Sequence, residues 1–194
     1  MNMTILNGAS GDGRGETLRA IASTVAAKAS ARNWTASTFD LEAMDIKPCR
    51  GCFACWLKHP GTCVVKDDQE PILKAIAGSD LVVWLTPLFF GGYGPTLKKA
   101  LDRVIPVILP FFIKVEGEVH HPQRYPRNRA LLVFGTQSEP DEEAGRIFHG
   151  LVRRNALNLN GIMTESRIYP EEAAPAEWTA DIAALLEKAK EAVS

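Results

Sequence analysis

The chain has 194 residues, of which 46% are hydrophobic, 23% charged and 8% aromatic, enough to bury one substantial core and too few for two comfortable ones. Lys plus Arg number 22 against 23 acids, a net charge of −1 that gives no basic field for nucleic acid or an anionic membrane. The most apolar stretch, 104–113, holds Pro106 and Pro110 and is too short to span a bilayer. The opening residues lack the charged-then-apolar layout of a secretion signal, and a cytoplasmic protein is expected.

Short apolar strands alternate with amphipathic helices along the chain. Residues 3–7 read as a strand, and 17–31 as a helix with Leu18, Ile21, Ala22, Val25 and Ala29 on one face. Residues 35–41 are strand-like, with Phe39 and Leu41 among polar neighbours. Asp67-Asp68 can cap a short helix through Ile72 and Ile76. Residues 81–85 and 130–134 are unbroken apolar runs, as expected of central parallel strands covered on both faces. Pro95 opens a helix through Leu101, and Ser138 with Pro140 opens another with Ile147, Phe148, Leu151 and Val152 inward. Residues 162–168 supply a fifth, more polar strand suited to an edge. Trp178, Ile182, Leu185, Leu186, Ala189 and Val193 stripe a closing helix. Right-handed crossovers turn this alternation into an α/β fold with a five-stranded parallel, doubly wound sheet. One domain, 1–194, is expected, with an insertion at about 104–128 that is rich in Pro and His.

Ligands of such sheets lie beyond the carboxyl ends of the strands, so the loops there carry the functional reading. After the first strand comes Gly8-Ala9-Ser10-Gly11-Asp12-Gly13-Arg14-Gly15-Glu16-Thr17, then a helix. Glycines let backbone N–H groups converge, the helix N-terminus adds a positive dipole end, and Ser10 and Thr17 add hydroxyls. The competing reading is a tight turn without a ligand. The segment has neither a Walker A lysine nor the dinucleotide-binding glycine spacing. After the third strand comes Thr86-Pro87-Leu88-Phe89-Phe90-Gly91-Gly92-Tyr93-Gly94-Pro95, where aromatics and glycines suit a flat heterocycle, or simply a buried aromatic turn. Thr136 and Gln137 follow the fourth strand.

All four cysteines fall in one segment, Cys49, Cys52, Cys55 and Cys63, spaced C-x2-C-x2-C-x7-C. Three thiols in one compact run are more like iron–sulfur ligation than a zinc ribbon, which separates two pairs by a longer loop. No Ser-His-Asp or paired-carboxylate set can be assembled, so no catalytic side chain is expected. His120-His121 reads as a solvated loop rather than a metal pair.

Residues 9–17 resemble the G-S-P-R-x-x-G-N-T loop of the NAD(P)H-dependent FMN reductases, with Ser10, Gly15 and Thr17 matching and Asp12 and Glu16 departing from it. Residues 86–91 are similar to that family's S-P-x-Y-F/W-G segment, and Leu97-Lys98 with Asp102-Arg103 to the helix that follows it. The resemblance implies a flavodoxin-like three-layer sandwich binding FMN through Ser10, Asp12, Gly15, Glu16, Thr17, Leu18, Pro87, Leu88, Phe89, Phe90, Gly91, Thr136 and Gln137. NAD(P)H would be the electron donor, and a flavin, quinone or similar small molecule, or a redox partner protein, the acceptor. Subunits of this family commonly complete one another's flavin pockets. The exposed-aromatic candidates Trp56, Phe89, Phe90, Phe111 and Phe112 would then form a homo-oligomer interface; burial in the core is the competing account. The cysteine run is also similar to that of the iron–sulfur flavoproteins, a branch that holds a [4Fe–4S] cluster beside FMN and acts in electron transfer. Related reductases keep such cysteines as reactive thiols or structural residues. No nucleic-acid or membrane partner is expected.

Overall fold

The computed structural model describes residues 1–11 and 15–194. The expectation for Asp12 therefore lies outside the described residues. In chain order the elements are β1 (Asn2–Asn7), α1 (Glu16–Ser30), β2 (Thr35–Asp40), α2 (Ala54–Leu57), α3 (Gln69–Gly78), β3 (Leu81–Phe89), β4 (Gly92–Tyr93), α4 (Pro95–Leu101), β5 (Ile113–Val115), β6 (Glu118–His120), β7 (Arg129–Gln137), α5 (Glu142–Asn158), β8 (Gly161–Pro170) and α6 (Pro175–Val193). The expected doubly wound sheet is present: β2-β1-β3-β7-β8 are all parallel, with the short β4 added antiparallel to β3. The order reverses between β1 and β3, so the ends of those two strands are where a crevice opens.

The alternating faces of the strands explain the layers. Ile5, Val83, Leu85, Leu132 and Phe134 pack under α1 and α6, while Leu6, Val82, Trp84, Leu131 and Val133 pack under α3, α4 and α5. A central strand covered twice needs apolar residues on both faces, and β3 has them over 81–85 and β7 over 130–134. Each fully buried aliphatic side chain contributes about 1.5–3 kcal/mol of transfer free energy, as an upper estimate. The polar β2, mostly exposed, is one edge. β8 is the other, as its composition suggested.

Several local expectations are corrected by hydrogen bonding. Asp141, not Ser138, caps α5, its Oδ1 accepting from Ala144 N at 2.9 Å. Of the expected pair Asp67-Asp68, Asp67 Oδ1 accepts from Gln69 N, the first residue of α3, at 3.2 Å, whereas Asp68 makes no cap because its Oδ2 accepts from Asp45 N at 2.8 Å. Ile147 is exposed rather than inward, since Phe148 and Val152 take the buried side of α5. His120 is buried, its Nδ1 3.1 Å from Asn158 Oδ1, and not part of a solvated loop. Both central parallel strands also run past their apolar stretches, because β7 continues to pair with β8 through Gln137.

Segment 104–128 contains a short turn of 3-10 helix (Ile105–Val107) and the β5–β6 hairpin. It is tied to the body by Arg129, which donates to Gln123 Oε1 and Leu159 O, both at 2.8 Å. Trp56 Nε1 ties the cysteine segment to the same turn, donating to Ile105 O at 3.1 Å and Ile108 O at 3.0 Å.

Candidate functional site

Beyond the carboxyl ends of β1, β3 and β7 lies a cleft of about 360 Å³. Ser10 from the first loop, Pro87 to Gly91 from the third, and Gln137 from the end of β7 line it together. The third loop is a hairpin rather than an open connection. Leu88 pairs with Tyr93 and Phe89 with Gly92, leaving Phe90-Gly91 as a two-residue turn with φ of 49° and 77°. Both values lie in the left-handed region, the requirement of the tight turn that matches strand twist. Gly91 could not be replaced: a Cβ there would stand 2.7 Å from Ile147 Cβ. Phe90 has no such licence, and a bulky side chain at positive φ is strained. It is 97% exposed at the tip of the cleft wall.

The remaining expected residues are placed differently. Thr17 is buried and its hydroxyl donates to Glu171 O at 2.5 Å, so its proton is committed within the protein. Leu18 is fully buried under the sheet, and Glu16 is exposed at the start of α1. Gly15 keeps the first loop closed, because a Cβ there would lie 2.6 Å from Ser10 O. Arg19 braces the same carbonyl, its Nη2 donating at 2.8 Å. Ser138, expected from sequence as a helix start after the fourth strand, also lines the cleft, as do Glu139, Asp141, Ala144 and Glu171, which were not singled out from sequence. Glu171 follows the last strand, so inspecting every carboxyl-end loop, the fifth included, would have found it.

Cys49, Cys52, Cys55 and Cys63 line one narrow cavity of about 30 Å³ with Arg103, Ile105 and Pro106. Burial pushes the Cys55 thiol up, and the neighbouring Cys63, Cys49 and Cys52 push it the same way. Gly51 (φ 64°) and Phe53 (φ 51°) make the bends that turn the run inward. Arg103 Nη2 donates to Cys63 Sγ at 3.3 Å and Nη1 to Lys47 O at 3.0 Å, while its guanidinium pairs with Asp67. Among the described residues, no three His, Cys, Asp or Glu side chains stand as a formed metal-ligand set. The cysteine cavity shares no lining residue with the cleft at the strand ends, so within one chain the thiols do not face it.

Residues 1–136 match the family described as NADPH-dependent FMN reductase. The chain belongs to that family. An iron–sulfur flavoprotein of Methanocaldococcus jannaschii is 36% identical over 77 residues, 39% of this chain and 39% of that protein. A second, from Archaeoglobus fulgidus, is 38% identical over 68 residues, 35% of this chain and 32% of that one. The chain thus aligns with well under half the length of these relatives. Among solved structures, an FMN-dependent NADH-azoreductase of Bacillus anthracis in complex with FMN superposes with a TM-score of 0.63 at 14% identity, covering 100% of both chains. At that identity the likeness establishes the shared fold.

The end of β7 carries two features that bear on what the cleft could hold. The side-chain oxygens Thr136 Oγ1 and Gln137 Oε1 are buried at the end of β7 without a hydrogen-bond partner, a costly state unless a ligand supplies one. Gly135 lies behind the cleft-lining Leu88: a Cβ there would meet Leu88 Cδ1 at 2.3 Å. Among the described residues, no helix is long and apolar enough to cross a membrane.

Proposed function

We propose that this FMN reductase family member binds FMN in the cleft at the ends of β1, β3 and β7. There it takes electrons from NAD(P)H and passes them to a flavin, quinone or similar small acceptor. The unpartnered Gln137 Oε1, on a residue that lines a cleft walled by the Phe89–Phe90 turn, carries this reading. Bound FMN would accept hydride and release electrons singly or in pairs, chemistry the side chains lack. The chain's own part is positional. The N-terminus of α1 would offer N–H groups to a phosphate, with Ser10 as the residue of the first loop at the cleft. Pro87 to Gly91 would hold the flat ring and Gln137 would offer it a polar contact, with Thr136 next to Gln137 at the end of β7. Phe89 and Phe90, both exposed at the cleft, would cover one side of a bound ring. The exposed Phe90, Phe111 and Phe112 suit a homo-oligomer, and the lack of a basic field suits a cytoplasmic, small-molecule enzyme.

Titration with FMN, followed by quenching of flavin fluorescence, should saturate at one FMN per chain. Gly135→Ala should weaken binding at least tenfold by pushing Leu88 into the cleft. An unsaturable titration, or equal affinity in the variant, overturns the assignment.

A second reading, an electron-transferring iron–sulfur flavoprotein with FMN plus a [4Fe–4S] cluster, is favoured by four thiols lining one cavity. Thiolates are the ligands such clusters use, and Cys49 and Cys52 are exposed while Cys55 and Cys63 are half-buried. Protein purified without oxygen should then carry iron and sulfide in equal amounts and look brown, and Cys55→Ser should lose both while keeping flavin. Yellow, iron-free protein after anaerobic reconstitution would leave the first reading alone.

A further inference from the structure

A second cleft, of about 400 Å³, opens on the α3–α4–α5 side of the sheet, between the end of α4, the 3-10 turn at Ile105–Val107 and the last turns of α5. Its volume falls within the range of small-molecule sites, roughly 300–1,000 Å³. Its lining is aromatic and aliphatic: Phe53, Trp56, Trp84, Leu101, Ile105 and Ile108 among them. It shares no lining residue with the cleft assigned to FMN, and it shares Phe53 and Ile105 with the cysteine cavity.

The polar groups around it decide what would fit. Asn155 is engaged, its Nδ2 donating to Tyr93 Oη at 2.9 Å. Asn158 is engaged twice, with His120 Nδ1 at its Oδ1 and Gln123 Nε2 donating to its carbonyl at 2.6 Å. His121 Nδ1 is 2.8 Å from Phe111 O. Asp102 pairs with Lys98. Trp84 is the exception: it is 2% exposed, it lines the cleft, and its indole Nε1 is buried without a partner. A buried N–H left unmade costs about 1–3 kcal/mol, and Phe at this position would have filled the core without that cost. A carboxylate at the rim with no Lys or Arg in the lining disfavours anions.

We propose that this cleft binds an uncharged, flat aromatic molecule carrying a hydrogen-bond acceptor that takes the Trp84 N–H. The rings of Phe53 and Trp56, stacked with centroids 5.4 Å apart, form one wall, and the acceptor points to the floor. The site is independent of whether FMN occupies the strand-end cleft.

Fluorenone and fluorene, the same skeleton with and without the acceptor oxygen, give the test on protein saturated with FMN. Fluorenone should bind roughly fivefold more tightly than fluorene, although fluorene is the more apolar, because only it satisfies the buried donor. Trp84→Phe should abolish that preference while leaving FMN affinity unchanged. Ile108→Trp, which fills the cleft without touching the donor, should prevent binding of both compounds. The proposal fails if the two compounds bind equally, if neither binds, if the preference survives in Trp84→Phe, if Ile108→Trp binds like the parent, or if excess FMN displaces fluorenone.

Discussion

Arg103 and Asp67 show how much can hang on one buried pair. Their side chains are each only 1% exposed, and the guanidinium also reaches Lys47 O, Val65 O and Cys63 Sγ. Burial alone would push the Asp67 carboxyl up, but the Arg103 bond and the N–H groups of Lys47 and Gln69 outweigh it and hold it below the usual range. A depressed folded-state value means the stabilisation is fully present above the unfolded carboxylate value of about 4 and is lost as pH falls through the lower folded value. Arg103→Met should cost about 3–5 kcal/mol at neutral pH, since it strands a buried carboxylate. Asp67→Asn should be less stable than the parent at neutral pH, and its melting temperature should fall less steeply with acid below about pH 5. Melting curves across pH check both; a parent-like acid limb in Asp67→Asn would remove Asp67 from the account. In the sequence, Arg103 stood out only as part of a helix resembling the family's, because pairing across 36 residues leaves no local trace.

At the scale of elements, the β3–β4 hairpin concentrates the tension between stability and site. Gly91 satisfies the turn, but Phe90 sits at φ 49° where glycine or asparagine would be relaxed. Phe90→Gly should therefore raise stability by about 1 kcal/mol in urea denaturation, given the left-handed penalty for side chains. The same variant should bind FMN more weakly, because the exposed ring is lost from the cleft wall. A destabilised Phe90→Gly, or one with unchanged flavin affinity, would show that the strain serves no site. The long strands explain why this turn was hard to read. The apolar run at 81–85 signals a strand, but Thr86 to Phe89 look like loop until pairing with β7 and β4 extends them. The helix caps failed similarly: Ser138, Asp68 and Asp141 are all acceptable N-cap residues, and only the competing Asp45 N–H and the course of the chain choose among them.

For the molecule as a whole, the cysteine segment and segment 104–128 pack together on the α3–α4–α5 side, joined by the Trp56 bonds to Ile105 and Ile108. Trp56→Phe keeps the ring and removes both bonds. It should leave the melting temperature within a few degrees of the parent while alkylation of Cys55 and Cys63 speeds up severalfold, as the segment opens locally. Unchanged alkylation kinetics would mean that Arg103 alone holds the segment closed.

The sequence by itself determined the layer architecture, because hydrophobic period is a local property and buried parallel strands require apolar residues on both faces. It also determined which loops meet at the carboxyl ends of β1 and β3, since strand alternation dictates where those loops must emerge. Only the tertiary structure decided what each side chain does there. Thr17 spends its hydroxyl on Glu171, which arrives from the far end of the chain, while Thr136 and Gln137 retain unspent oxygens. Trp84 reads in the sequence as one more apolar strand residue, and the absence of a partner for its N–H appears only when every neighbour is in place. Hydrogen bonds between residues distant in sequence are chosen by three-dimensional proximity, which no local pattern encodes.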